Sequence, residues 1–218
     1  REGINLLYPK YFDISNIQSG KDNPNGYRFV EFPIYNAVQA GLSNIFGILP
    51  LEQWGRLISI FSTLAGAYFV YLLTRKYANE MAGFFAAFFY LFLPFSIFYG
   101  RTILPDPSMT SAILGGIYFF DRWLENISNS KRQIANIHIK YKIFFILSVF
   151  FTALAFLLKP YAIFFALPMA YLAWKAFEFD LIKKWQLWLL AILAVSPLLA
   201  WRWWIGHFTE GIPASDWL

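Results

Sequence analysis

The chain carries six apolar stretches without a charged residue, which follow one another from residue 57 to residue 201. They cover residues 57–74, 81–100, 107–120, 143–158, 160–174 and 185–201. A helix that crosses a bilayer needs about 20 mainly apolar residues, with about 17 as the lower end. Three stretches meet this length, and the others reach it with end residues such as Trp123 and Leu124 or by tilting. The pattern predicts an all-α, polytopic transmembrane helical bundle over residues 56–204.

An amphipathic segment precedes the spans, within a polar region rich in Gly, Pro and Asn that covers residues 1–55. Pro33 suits the first position of a helix, and Gly47 suits the position just past its end. The apolar residues that share one helical face between them are Ile34, Tyr35, Val38, Leu42, Ile45 and Phe46. This pattern predicts a helix in the membrane interface, within a first extracytoplasmic loop. Residues 205–218 are expected to begin a further extracytoplasmic loop.

Composition supports the membrane interpretation. Hydrophobic residues make up 58% of the 218 residues and charged residues 14%, which is too apolar for an ordinary soluble domain. The shorter stretches could alternatively be core helices of a soluble protein, but six stretches in tandem, joined by basic loops, disfavour this. The chain has no cysteine, which excludes disulfides and thiolate metal sites.

Lysine and arginine residues predict the orientation of the spans. The connections after the first, third and fifth spans carry ten of them, whereas the opposite side carries only Arg101, Lys159 and Arg202 near the span ends, besides the region that leads into the first span. The positive-inside rule therefore places the first group in the cytoplasm. Residues 1–55, the turn around Asp106, the turn at Lys159 and the C-terminal loop are then expected outside.

Basic residues at the predicted outer ends of different spans are candidates for ligand binding: Arg56, Arg101, Lys159 and Arg202. Cations that converge at headgroup depth could bind the phosphate or pyrophosphate of a lipid. Alternatively, each side chain only extends toward the headgroups without a specific ligand. Because the short loops on this side are otherwise poor in cations, the four together favour a lipid-phosphate site.

Two acidic residues, Asp106 and Glu31, are expected on the same side. With Pro107 at the first helical position, Asp106 could cap the helix through the amide of Ser108 or Met109. A fixed carboxylate could also accept a proton, orient a sugar hydroxyl or hold a divalent cation such as Mg²⁺ or Mn²⁺. Glu31 could equally be an ordinary loop carboxylate.

Several kinds of functional site are absent from the sequence. It contains no P-loop, Gly-rich dinucleotide turn, His/Cys metal cluster or nucleophile elbow. Its basic residues are scattered over membrane loops, so nucleic acid is not an expected partner. Transporters usually place charged sites near the membrane midplane, where these spans have no charged residue. The pattern favours chemistry on a lipid headgroup.

Four segments of the chain, taken in order, carry a family resemblance. They are "REGINLLYP", "EFPIYNAVQAGLSNIFG", "FYGRTILPDPSMT" and "LAFLLKPYAIFFALP". Their order and spacing resemble the C-type (GT-C) polytopic glycosyltransferases, in the branch of dolichyl-phosphate-mannose protein mannosyltransferases and lipid A aminoarabinose transferases. The resemblance implies an inverting transfer of a sugar from a polyprenyl-phosphate donor to an acceptor outside the cytoplasm.

The resemblance also implies roles for individual residues. Asp106 matches the family's second outer acidic position. The residues that match its phosphate-contacting cations are Arg101 and Lys159, with Arg202 and Arg56 as further candidates. Glu31 and Tyr35 match an outer-loop segment that often carries a basic or His-containing motif; the sequence Glu-Phe-Pro departs from it. Glu31 is then a second candidate catalytic acid, and Tyr35 a candidate substrate-lining residue.

The family's principal catalytic acid would lie upstream of Arg1, so the chain as given is expected to be inactive. Two other functions stay open: a carrier or flippase for lipid-linked saccharides, and a structural membrane subunit. The expected partners are a polyprenyl-phosphate sugar donor, membrane lipids and an acceptor that is a protein, a lipid or a glycan. The expected location is the plasma membrane with the active face outside, or the endoplasmic reticulum membrane in a eukaryote.

Overall fold

The computed structural model describes residues 5–10, 23–129 and 135–212. These residues form α-helices, short 3₁₀ helices and one isolated bridge between Lys10 and Tyr27, without a β-sheet. The α-helices are α1 Ile34–Phe46, α2 Leu51–Tyr77, α3 Glu80–Phe92, α4 Pro94–Tyr99, α5 Asp106–Asn129, α6 Ala135–Leu158, α7 Ala166–Phe177 and α8 Trp185–Ile205. The 3₁₀ helices are Pro160–Phe165, Glu178–Lys183 and Thr209–Gly211. The all-α prediction is confirmed.

One end of the molecule, called here the site end, collects the start of α2, the start of α5 and the end of α6. Asp106, in the first turn of α5, bonds with Lys159 directly after α6. Ser59 of α2 donates a hydrogen bond to the Leu104 carbonyl, just before α5. α8 also ends here, because Trp201 packs beside the last turn of α6.

The opposite end, called the basic end, collects the end of α2 and the later part of α5, where Lys76 pairs with Asp121. Trp123 of α5 contacts Tyr141 near the start of α6, and Leu190 of α8 belongs to the same buried cluster. The predicted cytoplasmic cations among the described side chains are Arg75, Lys76, Arg122, Lys140, Lys142, Lys175, Lys183 and Lys184, on the parts of the helices that meet here. Lys131 and Arg132 lie outside the described residues.

The described chain therefore passes between the two ends along each of the six apolar stretches. Four ranges are long and apolar enough to cross a membrane: Leu51–Tyr77, Lys140–Leu158, Pro160–Lys183 and Trp185–Ile205. α5 is 24 residues long but carries charged residues in its second half. It runs beside α2 from the Ser62–Ser108 hydrogen bond at the site end to the Lys76–Asp121 pair at the basic end. That all six passages cross the bilayer stays a prediction.

The second predicted span is not one helix. α3 ends at Phe92 after 13 residues, which is about 20 Å of helix. Leu93 adopts an extended conformation, and Pro94 begins the short helix α4. Proline has no N–H to donate and disfavours the helical conformation in the residue before it. The prediction of a single helix through residues 81–100 was therefore wrong, because it overlooked Pro94.

The helix α1, which is predicted to lie in the membrane interface, has the bounds that its end signals predicted, within one residue. Gly47 follows its last residue in the left-handed conformation, with φ of 59°, and its N–H bonds with the Ser43 carbonyl. Pro33 precedes the first helical residue rather than occupying it. Val38 and Ile45, on the predicted apolar face, are exposed, as an interfacial position requires. The buried side of α1, which packs against α2, carries Gln39 and also Tyr35, a member of the predicted apolar face; both side chains are hydrogen-bonded.

Candidate functional site

Lys159 lies in the tight turn between α6 and the 3₁₀ helix Pro160–Phe165. Its own backbone is extended, its N–H bonds with the Ala155 carbonyl, and its carbonyl accepts from Ala162. Pro160 has no N–H to continue α6 and begins the next helix. The turn holds the ammonium group at the site end, as the sequence "LLKPYA" predicted.

Asp106 is the closest partner of Lys159. The Lys159 ammonium donates to both carboxylate oxygens, at 2.9 Å to Oδ1 and 3.0 Å to Oδ2. The Met109 N–H bonds with the Pro105 carbonyl, and no described contact joins the Asp106 carboxylate to a helix amide. The predicted capping role of Asp106 is therefore wrong: the carboxylate turns toward the cation beside it.

Glu31 lies on the other side of the same ammonium. Its Oε1 atom is 3.9 Å from Lys159 Nζ, close enough for attraction but too far for a hydrogen bond. The next residue, Phe32, fixes this segment: its N–H bonds with the Leu157 carbonyl at 3.2 Å, and its ring packs edge-on against Trp201. The long polar region before α1 is thus attached to the end of α6, next to the site.

Tyr161 belongs to the site, although the candidate residues chosen from sequence did not include it. Its hydroxyl donates to Asp106 Oδ1 at 3.1 Å, and its ring lies under the Lys159 ammonium, 5.6 Å from Nζ to the ring centre. The signal was present in the sequence, since Tyr161 follows Lys159 by two residues in "LKPY". We call Glu31, Asp106, Lys159 and Tyr161 the site cluster.

Tyr35 supports the site end from within the bundle. It is only 5% exposed, and it packs in the buried cluster that includes Met109 and Leu158. Its hydroxyl bonds with the Gly55 carbonyl at 2.7 Å and the Ser59 hydroxyl at 2.9 Å. Burial raises the pKa of Tyr35, and the bond with Ser59 partly offsets this. In this position Tyr35 attaches α1 to α2 instead of lining an open surface.

Three of the four predicted phosphate-binding cations remain apart from the site cluster. Arg56, Arg101 and Arg202 are exposed, and none forms an ion pair with another described residue. Arg101 lies in the connection before α5, five positions before Asp106. That connection is anchored by the bond from Ser59 to the Leu104 carbonyl. The structure brings Lys159, Asp106 and Glu31 together and leaves the three arginines available at the surface.

The charge of Lys159 is secure at neutral pH. Burial lowers its pKa, but the hydrogen bond and charge of Asp106, with smaller contributions from Tyr161 and Glu31, outweigh this, so the pKa is raised. Because the pKa of Lys159 is higher in the folded than in the unfolded state, its positive charge stabilises the fold. This stabilisation is complete at pH values below the unfolded pKa of about 10.4. This stabilisation is lost only as pH rises through the still higher folded value.

The site cluster does not fit a divalent cation as it stands. Both Asp106 oxygens bond with the Lys159 ammonium, and Glu31 is the only other acid near it among the described residues. No group of three or more His, Cys, Asp or Glu side chains in the described ranges could hold a metal ion. The two carboxylates balance the charge of the ammonium group and are therefore not free to bind a metal ion.

Comparison with known proteins decides the family. A family model described as dolichyl-phosphate-mannose-protein mannosyltransferase matches residues 30–201, which include the whole site cluster. The chain belongs to this family. No curated protein and no solved structure matches the chain.

Membership of the mannosyltransferase family confirms the resemblance carried by the sequence segments. It makes the chain a membrane glycosyltransferase of the GT-C type, in agreement with its apolar helices. The matched range begins one residue before Glu31 and ends at Trp201, so it excludes Arg202. In this member of the mannosyltransferase family, the described ion pairs at the site end lie in the site cluster.

Proposed function

We propose that this protein transfers a sugar from a polyprenyl-phosphate donor to an acceptor on the non-cytoplasmic side of the membrane, with inversion at the anomeric carbon. The donor is the lipid-linked sugar that the family description suggests, and the acceptor is a hydroxyl or amine of a protein, a lipid or a glycan. The membrane is the plasma membrane with the site outside, or the endoplasmic reticulum membrane in a eukaryote.

The observation that carries this proposal is the Lys159 ammonium, held between two carboxylates at one end of a membrane bundle. Chemistry on a lipid-linked sugar needs a fixed positive charge at headgroup depth, because the bond that breaks leaves its electrons on a phosphate. Lys159 supplies that charge from a rigid turn. A soluble nucleotide-sugar donor would instead need a nucleotide-binding motif, which the sequence lacks.

The transfer balances as a single displacement. The acceptor oxygen or nitrogen attacks the anomeric carbon, and the bond from that carbon to the phosphate oxygen breaks. The electron pair leaves with the polyprenyl phosphate, and the acceptor proton passes to a carboxylate. Asp106 and Glu31 are the carboxylates that the site cluster offers for accepting the proton or orienting a sugar hydroxyl.

The exposed arginines extend the proposal to the rest of the phosphate. Arg101 has no ion-pair partner among the described residues and lies in the connection that leads to Asp106. Its planar guanidinium group can hold two phosphate oxygens at once. Arg56 and Arg202 are exposed on the ends of α2 and α8 that face the same way. We assign Arg101 the second contact, and Arg56 and Arg202 contacts with neighbouring headgroups.

The test uses membranes containing the complete protein and polyprenyl-phosphate mannose with a labelled sugar. We expect Lys159→Gln to lower the rate at which donor is converted by about 100-fold or more, because a charge that stabilises the leaving phosphate is lost. The matched control is Lys183→Gln, which removes an exposed lysine that also pairs with an aspartate at 2.9 Å. Arg101→Gln should lower the rate about tenfold or more.

Two results would contradict the proposal. If both Lys159→Gln and Arg101→Gln transferred the sugar normally, with wild-type amounts of folded protein, these two residues would not bind the donor phosphate. Movement of the labelled donor across the membrane without a new glycosidic bond would identify a carrier instead. Equal loss in Lys183→Gln and Lys159→Gln would mean that lysine substitutions disturb folding rather than the site.

A further inference from the structure

The site cluster presents a difficulty for any phosphate ligand. It contains one cation, Lys159, and two acids, Asp106 and Glu31, so its net charge is −1 with both acids ionised. A polyprenyl-phosphate sugar is itself an anion. Like charges a few ångströms apart repel strongly at a partly buried position, so the cluster as arranged disfavours the ligand that the proposed function requires.

The difficulty comes from Asp106 more than from Glu31. Asp106 occupies two hydrogen bonds of the ammonium, at 2.9 and 3.0 Å, whereas Glu31 is 3.9 Å away. The third N–H of the ammonium could take one phosphate oxygen, but a phosphate that binds Lys159 through more than one N–H must take over positions now held by the Asp106 oxygens. Glu31 can stay where it is, because at 3.9 Å it attracts the ammonium group without occupying one of its hydrogen bonds.

We propose that phosphate binds Lys159 by exchange: the incoming phosphate replaces the Asp106 carboxylate on the ammonium, and Asp106 turns away while it keeps the hydrogen bond from Tyr161. This inference rests on the proposed function, since it names how the lipid-phosphate ligand enters the same site. It makes binding of the phosphate and release of the Asp106 carboxylate one event. A carboxylate that is released only when the donor is present is then available to the acceptor.

The geometry favours movement of Asp106 rather than Lys159. The Asp106 side chain is 32% exposed and that of Lys159 is 19% exposed. The Lys159 backbone is fixed by hydrogen bonds on both sides, to Ala155 and from Ala162. Aspartate has a short side chain whose carboxylate can leave the ammonium by rotation alone, without a change in the helix that carries it.

Tyr161 gives the released carboxylate a partner. Its hydroxyl already donates to Oδ1 of Asp106 at 3.1 Å, and its side chain is on the exposed surface. An ionised carboxylate that loses its cation is costly unless another donor remains. Tyr161 thus lowers the cost of the exchange, as a positioning residue that acts through Asp106.

The first experiment measures binding of farnesyl phosphate to the complete purified protein in detergent, with farnesol as the ligand that lacks the phosphate. We expect Asp106→Asn to bind farnesyl phosphate about three- to tenfold more tightly than wild type, because the competing charge is gone while the size of the side chain is kept. Lys159→Gln should weaken binding at least tenfold. The control is Asp180→Asn, which removes an exposed carboxylate from the Lys183 pair and should leave the affinity unchanged.

The second experiment tests Tyr161 by a double-mutant cycle. Tyr161→Phe should weaken farnesyl phosphate binding about two- to fivefold in the wild-type background, because the released carboxylate loses its donor. The same substitution should have no effect in the Asp106→Asn background, where no carboxylate is released. Tyr68→Phe, which removes an exposed hydroxyl from α2, is the matched control. A purely structural Tyr161 would instead give the same loss in both backgrounds.

The outcomes separate the exchange from the proposed function. Tighter binding in Asp106→Asn, with the Tyr161 effect confined to the wild-type background, supports the exchange. If the wild type binds farnesyl phosphate and Asp106→Asn binds it equally or more weakly, the exchange alone is overturned, since the phosphate site would still exist. No difference between farnesyl phosphate and farnesol in wild type, together with no donor conversion, overturns both. Competition by inorganic phosphate as strong as that by farnesyl phosphate would overturn the lipid-linked donor of the proposed function and leave the exchange at Lys159 supported.

Discussion

Two aspartates of α5 make the same kinds of contact but differ in how far they are exposed. At the site end, Asp106 bonds with a lysine and with Tyr161; at the basic end, Asp121 bonds with Lys76 and with Tyr77. The Asp106 side chain is 32% exposed, whereas that of Asp121 is 7% exposed. A shielded pair is hard to separate, and an open pair can exchange with another anion. This contrast predicts a structural role for Asp121 and supports the proposal that Asp106 can yield its place to a ligand.

This difference predicts unequal effects on stability. Asp121→Asn removes the shielded partner of Lys76 and the acceptor of the Tyr77 hydroxyl but leaves Lys76 paired with Glu125 at 2.9 Å, so we expect it to lower the free energy of unfolding by about 2 kcal/mol. Asp106→Asn breaks a pair open to the surface, and we expect a loss of less than about 1 kcal/mol. Unfolding of the two variants in detergent, followed by denaturant or heat, measures the difference. Equal losses would mean that the pair at the site end is as structural as its counterpart.

At the scale of elements, the sequence identified the helices by composition and their ends by local signals. Gly47 marked the end of α1, and the step from Lys159 to Pro160 marked the end of α6. The break before Pro94 was not predicted, because the surrounding residues are apolar enough to suggest one span. The sequence left a helix cap open as one role of Asp106, and the structure does not form it, because the partner that competes for this carboxylate lies 53 positions away. Pairings of that kind depend on how the helices pack.

Close packing of α5 against α2 and α6 depends on a glycine at their contact. A methyl group added to Gly115 would lie 2.7 Å from the ring of Phe151, which is closer than real contacts allow, and 3.0 Å from the ring of Phe69, which is tighter than most real contacts. We expect Gly115→Ala to reduce the free energy of unfolding by about 1–2 kcal/mol, because overpacking outweighs the better helix propensity of alanine.

The matched control for this substitution is Gly41→Ala in α1. A methyl group there would meet nothing within 4 Å, so only the gain in helix propensity remains. The same unfolding measurement should show Gly41→Ala as stable as wild type or up to about 1 kcal/mol more stable. If Gly115→Ala behaved like Gly41→Ala, the three helices would be less closely packed than the structure shows.

At the scale of the whole molecule, the two ends differ in charge. Lysine and arginine residues of three connections lie at the basic end, while the site end carries the ion pairs of Lys159 and the exposed Arg101. The positive-inside rule relates this asymmetry to orientation, and the proposed donor site then faces away from the cytoplasm. The sequence could predict the asymmetry because it depends only on the order of spans and loops. It could not predict which charges at the site end would meet.

The orientation has a direct test, because the chain contains no cysteine. Asn36→Cys places a thiol on the exposed surface of α1, and Lys183→Cys places one at the basic end, where the lysine side chain is 80% exposed. A membrane-impermeant maleimide added to intact cells, if the protein lies in the plasma membrane, should label the first variant and not the second. Sealed microsomes, whose outer face is cytoplasmic, should give the opposite pattern if it lies in the endoplasmic reticulum. Labelling of Lys183→Cys from outside intact cells, with Asn36→Cys protected, would place the site cluster in the cytoplasm and contradict transfer on the other side of the membrane.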